Sequence, residues 1–307
     1  MRRWFVPAVG VLALLASLSC AGGGGGAELL IVDQNILHGI LDEDPEAEPF
    51  DRFPERIQLI ADALAELEPD IIFLQEVLPG AADDPEYADV RAVLLDTLGP
   101  EYTAVFGDIT GAPIDEGSLG QMTLTKLNVL SSENHFIGGV RAVHRVTVET
   151  DDGPVDVYNA HLEGSGAVTD AGEEEAVIEI ENVLGFIEES RTEGAPVILA
   201  GDLNAEPDES SIRRLLDAGF VDVLAEAGDP TCEQPGDPGC TSGTIPLGDN
   251  PENLTDHRID YIFVMSGEDR AADIKEAALF LNQPVDIGGG RLLWASDHIG
   301  VRAVLEL

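Results

Sequence analysis

Trp294-Ala295-Ser296-Asp297-His298-Ile299-Gly300-Val301, near the carboxyl end, and Leu199-Ala200-Gly201-Asp202-Leu203-Asn204-Ala205-Glu206-Pro207, upstream of it, decide how the chain is read. Each sets hard oxygen ligands immediately after an apolar run that reads as a buried strand, and the first adds a histidine. The same grammar recurs. Asn35 follows the apolar run 29–33, Glu76 follows Ile71-Ile72-Phe73-Leu74, and His161 follows Val155, Val157 and Tyr158. Asp260 stands between Arg258-Ile259 and the apolar Tyr261-Ile262-Phe263-Val264. Polar residues at the ends of buried strands gather at one rim of a sheet. Asp, Asn, Glu and His gathered there are what metal-assisted phosphoester hydrolysis requires.

Each piece taken alone has a plainer meaning. A strand-end Glu is more often a solvated cap, although it can also bind Mg²⁺, which prefers oxygen ligands and keeps several waters. Asp202 and Asn204 are two apart, so an extended segment would turn both to one side; alone, Asp-x-Asn is most often a turn. Asp297-His298 alone reads as a surface ion pair. Asp260 is costly to bury without a partner, and a histidine is a natural one. His135, His144 and His257 read as structural or exposed, and His38 as a residue that could line the cleft near Asn35.

Around these points the pattern alternates between strands and helices. Residues 56–67 space Ile57, Ile60, Ala61, Leu64 and Leu67 as one face of a helix. Residues 90–98, 171–189 and 211–217 read as further helices. Residues 102–158 turn to strands, with a hairpin predicted about Asp151-Asp152-Gly153-Pro154. Strands are also expected at 71–74, 196–200, 259–264 and 301–305, with an acidic loop at 42–51. Hairpins exclude a purely parallel sheet, so two packed mixed β-sheets flanked by helices are expected. The candidate site residues run from Asn35 to His298, which makes residues 28–307 one α/β domain.

The first 27 residues lie outside that domain. Arg2 and Arg3 precede an apolar stretch, 6–18, which is too short and wrongly flanked to span a membrane. Residues 1–20 read as a signal peptide and 21–27 as a Gly-rich tether. Ser17-Leu18-Ser19-Cys20 resembles a bacterial lipobox, with Ser17 where Leu is usual. The expectation is an exported protein anchored through a lipid on Cys20, or otherwise periplasmic or secreted. Cys232 and Cys240 flank a Gly/Pro-rich stretch and would pair in an oxidising compartment. So short a loop gains roughly 2–3 kcal/mol of chain entropy.

Sixteen Lys and Arg stand against 59 Asp and Glu, a net charge of −43. Such a field repels polyphosphate backbones and offers few cations to replace DNA counterions. It counts against a high-affinity nuclease. Adaptation of solubility to salty surroundings is the plainer source of that acidity.

Together the segments Asp33-Gln34-Asn35-Ile36, Phe73-Leu74-Gln75-Glu76-Val77, Asn159-Ala160-His161-Leu162, Gly201-Asp202-Leu203-Asn204, Arg258-Ile259-Asp260-Tyr261 and Ser296-Asp297-His298 resemble the endonuclease/exonuclease/phosphatase superfamily, in the family's order and over nearly all of residues 28–307. The resemblance implies the four-layer sandwich of pancreatic deoxyribonuclease and bacterial sphingomyelinases. It implies Glu76 as main Mg²⁺ ligand with Asn35 beside it, Mn²⁺ or Ca²⁺ being alternatives. Asp202 would orient or deprotonate the attacking water with help from Asn204. His298 would act as base or phosphate contact, held by Asp260, and Asp297 would support the metal or His298. His161 would stabilise the transition state or assist the leaving group. Two segments depart from the pattern. Gly120-Gln121-Met122-Thr123-Leu124-Thr125-Lys126 carries an unusual Gln121, and residues 108–119 show no basic loop for a DNA groove. Asn-x-His-Leu stands where apurinic-site endonucleases carry a tyrosine motif, and no long apolar hairpin for membrane insertion is evident.

The expected protein is thus a monomeric, Mg²⁺-dependent phosphodiesterase or phosphatase acting on a small or lipid-derived phosphate, with nucleic acid a less favoured partner. A low-specificity nuclease is the alternative within enzymes, and a non-catalytic binding module on the same fold the alternative outside them. Loss of ligands would mark the module, and no candidate ligand is missing.

Overall fold

Successive side chains of a strand point to opposite faces, and the two faces of the central strands build different layers. A computed structural model describes residues 26, 28–37, 52–77, 90–108, 120–138, 141–164, 174–228, 231–243, 247–248 and 255–307. In chain order they form β1 (Glu28–Asn35), α1 (Phe53–Leu67), β2 (Ile71–Val77), α2 (Val90–Leu98), β3 (Thr103–Asp108), β4 (Gly120–Thr125), β5 (Asn128–Gly138), β6 (Arg141–Thr150), β7 (Gly153–His161), α3 (Glu175–Ser190), β8 (Val197–Asp202), α4 (Ser210–Asp217), β9 (Val221–Asp222) and α5 (Val223–Glu226). The rest are β10 (Leu247–Gly248), β11 (Asp260–Met265), β12 (Asp273–Phe280), β13 (Val285–Gly288), β14 (Arg291–Leu293) and β15 (Gly300–Glu306).

Two six-stranded sheets run in the orders β12-β15-β1-β2-β4-β3 and β5-β6-β7-β8-β11-β9. The pairs β1–β2 and β7–β8 are parallel and the others antiparallel, so both sheets are mixed. A small sheet, β10-β14-β13, adjoins them in sequence.

Ile31, Ile71 and Phe73 of the first sheet pack against Val146, Val157, Ile198, Ala200 and Ile262 of the second, forming the layer between them. Their chain neighbours Val32, Ile72 and Leu74 point the other way, onto Ile57, Ile60 and Leu64 of α1. Tyr158, Leu199, Tyr261 and Phe263 likewise face Ile180, Val183 and Ile187 of α3 and Ile212 and Leu215 of α4. The result is helix, sheet, sheet, helix, the expected four-layer sandwich.

Element boundaries follow local chemistry. Helix α1 starts three residues earlier than its periodicity suggests, because Pro54 pre-sets the first turn. It stops at Glu68, which takes the left-handed conformation (φ 52°) ahead of Pro69. The hairpin β6–β7 turns at Asp151-Asp152, as its sequence predicts. Expectations for residues 1–20, for His38, for the loop at 42–51 and for residues 109–119 and 171–173 lie outside the described residues, as does the tether apart from Gly26. Cys232 and Cys240 are joined in a disulfide. His135 stacks on Phe186 with ring centroids 4.5 Å apart, and His144 is buried, so both are structural.

Candidate active site

Parallel pairing carries the ends of β1, β2, β7 and β8 to one rim, while antiparallel β11 and β15 begin there. Register does the fine placement. His161 lies opposite Asp202, Asp202 lies opposite Asp260, and Asn35 lies opposite Gln75. His298 enters from the turn just before β15. Every residue expected at the site is brought to this rim except for the reach of Asn204, which is described below.

Asn35 links the two sheets. Its Nδ2 donates to Glu76 Oε1 at 3.2 Å and to Asp202 Oδ2 at 2.9 Å. The same Asp202 oxygen lies 3.5 Å from His161 Nε2 and 3.7 Å from His298 Nε2. The other ring nitrogen of His298, Nδ1, is 3.1 and 3.0 Å from the two carboxylate oxygens of Asp260. Asp297 Oδ1 stands 3.9 Å from His298 Nε2. Asn35, Asp202, Asp260, His161 and His298 are buried, whereas Glu76, Asn204 and Asp297 are part-exposed and form the mouth.

Electrostatics in this cluster are lopsided. Burial pushes the Asp202 carboxyl up to about 7, against the pull of His298. Burial also works to lower His298, but the charges of Asp260 and Asp202 and the Asp260 hydrogen bond override it and hold the imidazole well above its ordinary value. Burial raises Asp297, and the nearby Glu76 adds to it. Glu76, Asp202, Asp260 and Asp297 thus stand round the His298 imidazole, acidic groups outnumbering basic ones. Asp202, Asp260 and His298 could between them hold a metal ion, each offering a ligand atom within 4.8 Å of the others. The hydrogen bonds from Nδ1 already occupy Asp260, however. The open oxygen donors Glu76 and Asp297, with Asn35 between the sheets, fit a hard divalent cation better.

One expectation needs correction, and one placement needs explaining. Asp202 and Asn204 do not lie on an extended segment. Asn204 has φ 47° and its N–H binds Asp202 Oδ1 at 3.0 Å, which is a turn closed by the aspartate side chain. Asn204 Nδ2 is spent on the Leu162 carbonyl at 2.9 Å, so the residue fixes the loop that follows His161. Strict alternation would also turn Glu76 away from the face that carries Gln75. A break in the β2–β4 register between Leu74 and Val77, with Glu76 at φ 57°, re-aims it to the rim.

A buried polar layer under the site carried no role in the sequence reading. Gln75 Nε2 donates to Asp33 Oδ1 at 2.8 Å and to Asn159 Oδ1 at 2.9 Å. Asn159 Nδ2 holds the Leu74 and Met122 carbonyls across the sheets. Burial, with Asp260 adding to it, raises Asp33 well above the usual carboxylate range. The signal was present in the alternation. Asp33 is two residues before Asn35 and Asn159 two before His161, so each shares the inward face of its strand. Beyond the site, His257 is exposed and pairs with Glu206 at 2.7 Å, next in the chain to Asp256 and Arg258.

Carboxylates packed round two imidazoles at the open end of a two-sheet sandwich define the metal-dependent phosphoester hydrolases as a class. The chain belongs to the endonuclease/exonuclease/phosphatase family, whose model matches residues 34–298. A putative neutral sphingomyelinase of Drosophila melanogaster is 30% identical over 275 residues, covering 84% of this chain but 57% of that protein. Among solved structures, an endonuclease/exonuclease/phosphatase family protein from Bacteroides thetaiotaomicron superposes with TM-score 0.69 at 16% identity, covering 92% of this chain and 95% of that one. A mannosyl-6-phosphatase of the same species gives 0.67 at 17% identity (90% and 99%). A humanized TDP2 of D. rerio gives 0.66 at 23% identity (91% and 99%). These structures share the fold.

Proposed function

We propose that the chain is an exported Mg²⁺-dependent phosphoesterase acting on a small or lipid-derived phosphate ester. The observation that carries the chemistry is the cluster itself, in which four acidic groups stand round the His298 imidazole and outnumber the basic ones. The net charge of −43 carries the choice of substrate, since it disfavours a long polyanion. The sphingomyelinase relative supports a lipid-derived ester, and the Cys232–Cys240 disulfide supports an oxidising compartment.

Glu76, Asn35 and Asp297 are the residues that would hold Mg²⁺, which when bound supplies positive charge to the phosphoryl oxygens. Asp202 takes the proton of the attacking water. Asn204 holds Asp202 Oδ1 and Asn35 holds Oδ2, which fixes the carboxylate in one orientation. Asp260 accepts from His298 Nδ1–H and stabilises the imidazolium form, whose Nε2–H is turned to a non-bridging phosphoryl oxygen. His161, its Nε2 near the same Asp202 oxygen, contacts the same phosphoryl group. The water oxygen bonds to phosphorus as the ester P–O bond breaks, and the leaving oxygen departs with the bond's electron pair and takes a proton from solvent to become the alcohol.

The test is a substrate panel with the chain from residue 27 onward: bis(p-nitrophenyl) phosphate, p-nitrophenyl phosphate, sphingomyelin, inositol phosphates and plasmid DNA, each with and without EDTA. EDTA-sensitive turnover of a small or lipid ester, restored by Mg²⁺ and exceeding DNA cleavage, is expected. Turnover indifferent to EDTA, or DNA as the best substrate, would overturn the reading.

A further inference from the structure

Asp260 and His298 belong to different sheets. Asp260 opens β11 of the second, and His298 leads into β15 of the first. Their 3.0 Å contact therefore depends on how the two sheets are held at the rim, and adjacent backbone pairing does not hold it. Thr241, outside both sheets, reaches both sides. Thr241 is fully buried, and its Oγ1 accepts from the N–H of Ile259 and of Asp260, each at 3.1 Å. Its backbone N–H donates to the His257 carbonyl at 2.7 Å, and its carbonyl accepts from the Ile299 N–H at 2.5 Å. The residues after it continue the clamp. Ser242 bridges both His257 and His298, and the Gly243 N–H binds the Asp297 carbonyl at 3.2 Å.

The segment entering this clamp is fixed in its turn. Cys240 is the residue before Thr241, and its disulfide to Cys232 closes a loop whose interior is tied by Asp237. Asp237 Oδ2 accepts from the N–H of Glu233 at 3.0 Å and of Gln234 at 2.9 Å, and its carbonyl accepts from the Cys240 N–H at 3.1 Å. The Gly236 N–H reaches the Thr255 carbonyl at 2.7 Å, tying the loop to the chain that leads back to Asp260.

We infer that Thr241 is a positioning residue for the Asp260–His298 pair, held in place by the Cys232–Cys240 loop. The inference rests on the catalytic reading of that pair. Thr241 touches neither the imidazole nor the reacting atoms. It fixes the peptide that carries Asp260 and the peptide that follows His298, and so sets the Nδ1 to carboxylate distance. Misplacement of a catalytic group by about 1 Å is enough to lose on the order of 10²-fold in rate.

The experiment compares Thr241→Val, Thr241→Ser, His298→Ala and the double variant Cys232→Ser/Cys240→Ser with the wild type on bis(p-nitrophenyl) phosphate, with active protein counted as the folded fraction. Thr241→Val keeps the shape and removes the acceptor. It should lower kcat by roughly 10–100-fold while KM stays within about twofold, as expected when transition-state contacts alone are lost. Thr241→Ser keeps Oγ and should return kcat to within about threefold of wild type. Opening the disulfide should lower kcat by roughly tenfold with Thr241 still present. Should Thr241→Val fail to fold, the double variant carries the test, and its unchanged kcat overturns the inference. A folded Thr241→Val with wild-type kcat also overturns it. If His298→Ala turns over normally, the catalytic reading fails instead, and the two failures are told apart by that variant.

Discussion

His298 has one nitrogen on Asp260 and the other facing Asp202 and Asp297. A preorganised donor to charge that develops in the transition state typically contributes about 10²–10³-fold. His298→Ala should therefore lower turnover by that order while the melting temperature holds, and Asp260→Asn should lose less, since it disturbs tautomer and orientation only. Turnover and melting on the same preparation decide it, and a less stable but fully active His298→Ala would make the residue structural. Glu76→Gln removes one ligand charge at constant shape, so a Mg²⁺ titration of activity should show a raised half-saturation; wild-type activity at low Mg²⁺ would remove Glu76 from the ligand set. His144 offers a pH test away from the chemistry. Burial lowers its imidazole from 6.5 to about 4. Between those values the unfolded chain binds a proton that the folded chain refuses. The stability that His144 permits is therefore complete above pH 6.5 and lost as pH falls towards 4, by roughly 3 kcal/mol in all. Urea unfolding of wild type and His144→Leu at pH 7.5 and 4.5 should show a smaller loss in the variant, the raised carboxylates elsewhere cancelling in the difference.

Strand β8 shows how an element sets the site. Ala160 pairs with Gly201 and His161 with Asp202 across β7–β8. Gly201 has φ 145°, and a Cβ built on it would stand 1.8 Å from the Ala160 carbonyl oxygen. Only glycine allows the approach that brings His161 to Asp202. Gly201→Ala should cost about 1–3 kcal/mol through overpacking and lower turnover per folded molecule, read by urea unfolding and kcat. Gly185, on the exposed side of α3, meets nothing within 4 Å, so Gly185→Ala should stabilise by about 0.5–1 kcal/mol through helix propensity. Equal effects of the two alanines would refute the close-approach argument. Element positions were largely legible here. Residues 90–98 are helical to the residue, because apolar spacing alone marks α2, and the hairpin β6–β7 follows its turn residues. Helix α1 was legible in its body and missed at its start, since Pro54 contributes by backbone geometry and not by hydropathy.

At the scale of the whole molecule, charge dominates. With 59 acidic residues against 16 basic ones, like charges repel across the surface, and salt screens them over a Debye length of about 8 Å at 0.15 M. Melting temperature should rise from 0.05 to 1 M NaCl, and plasmid DNA should be cleaved slowly at physiological salt. Rapid plasmid loss at low enzyme concentration would promote the nuclease reading over the one proposed.

Much of the site was determined by the sequence alone, because a polar residue ending a buried strand has one place to go, the rim. Asn35, His161 and Asp202 end β1, β7 and β8 in that way, whereas Asp260 opens β11 and His298 precedes β15 in place of following a strand; the two-sheet sandwich followed from strands and helices alternating with hairpins. Only tertiary structure decided the rest. A register break and a left-handed backbone turn Glu76 back to the cleft that alternation denies it. An aspartate-closed turn, in place of an extended strand, sets Asn204. Thr241 reaches Asp260 and Ile299 from residues 19 and 58 positions away in the chain. Local pattern encodes which face a side chain takes, but contacts between the two sheets depend on how they settle against each other, and no spacing along one strand records that.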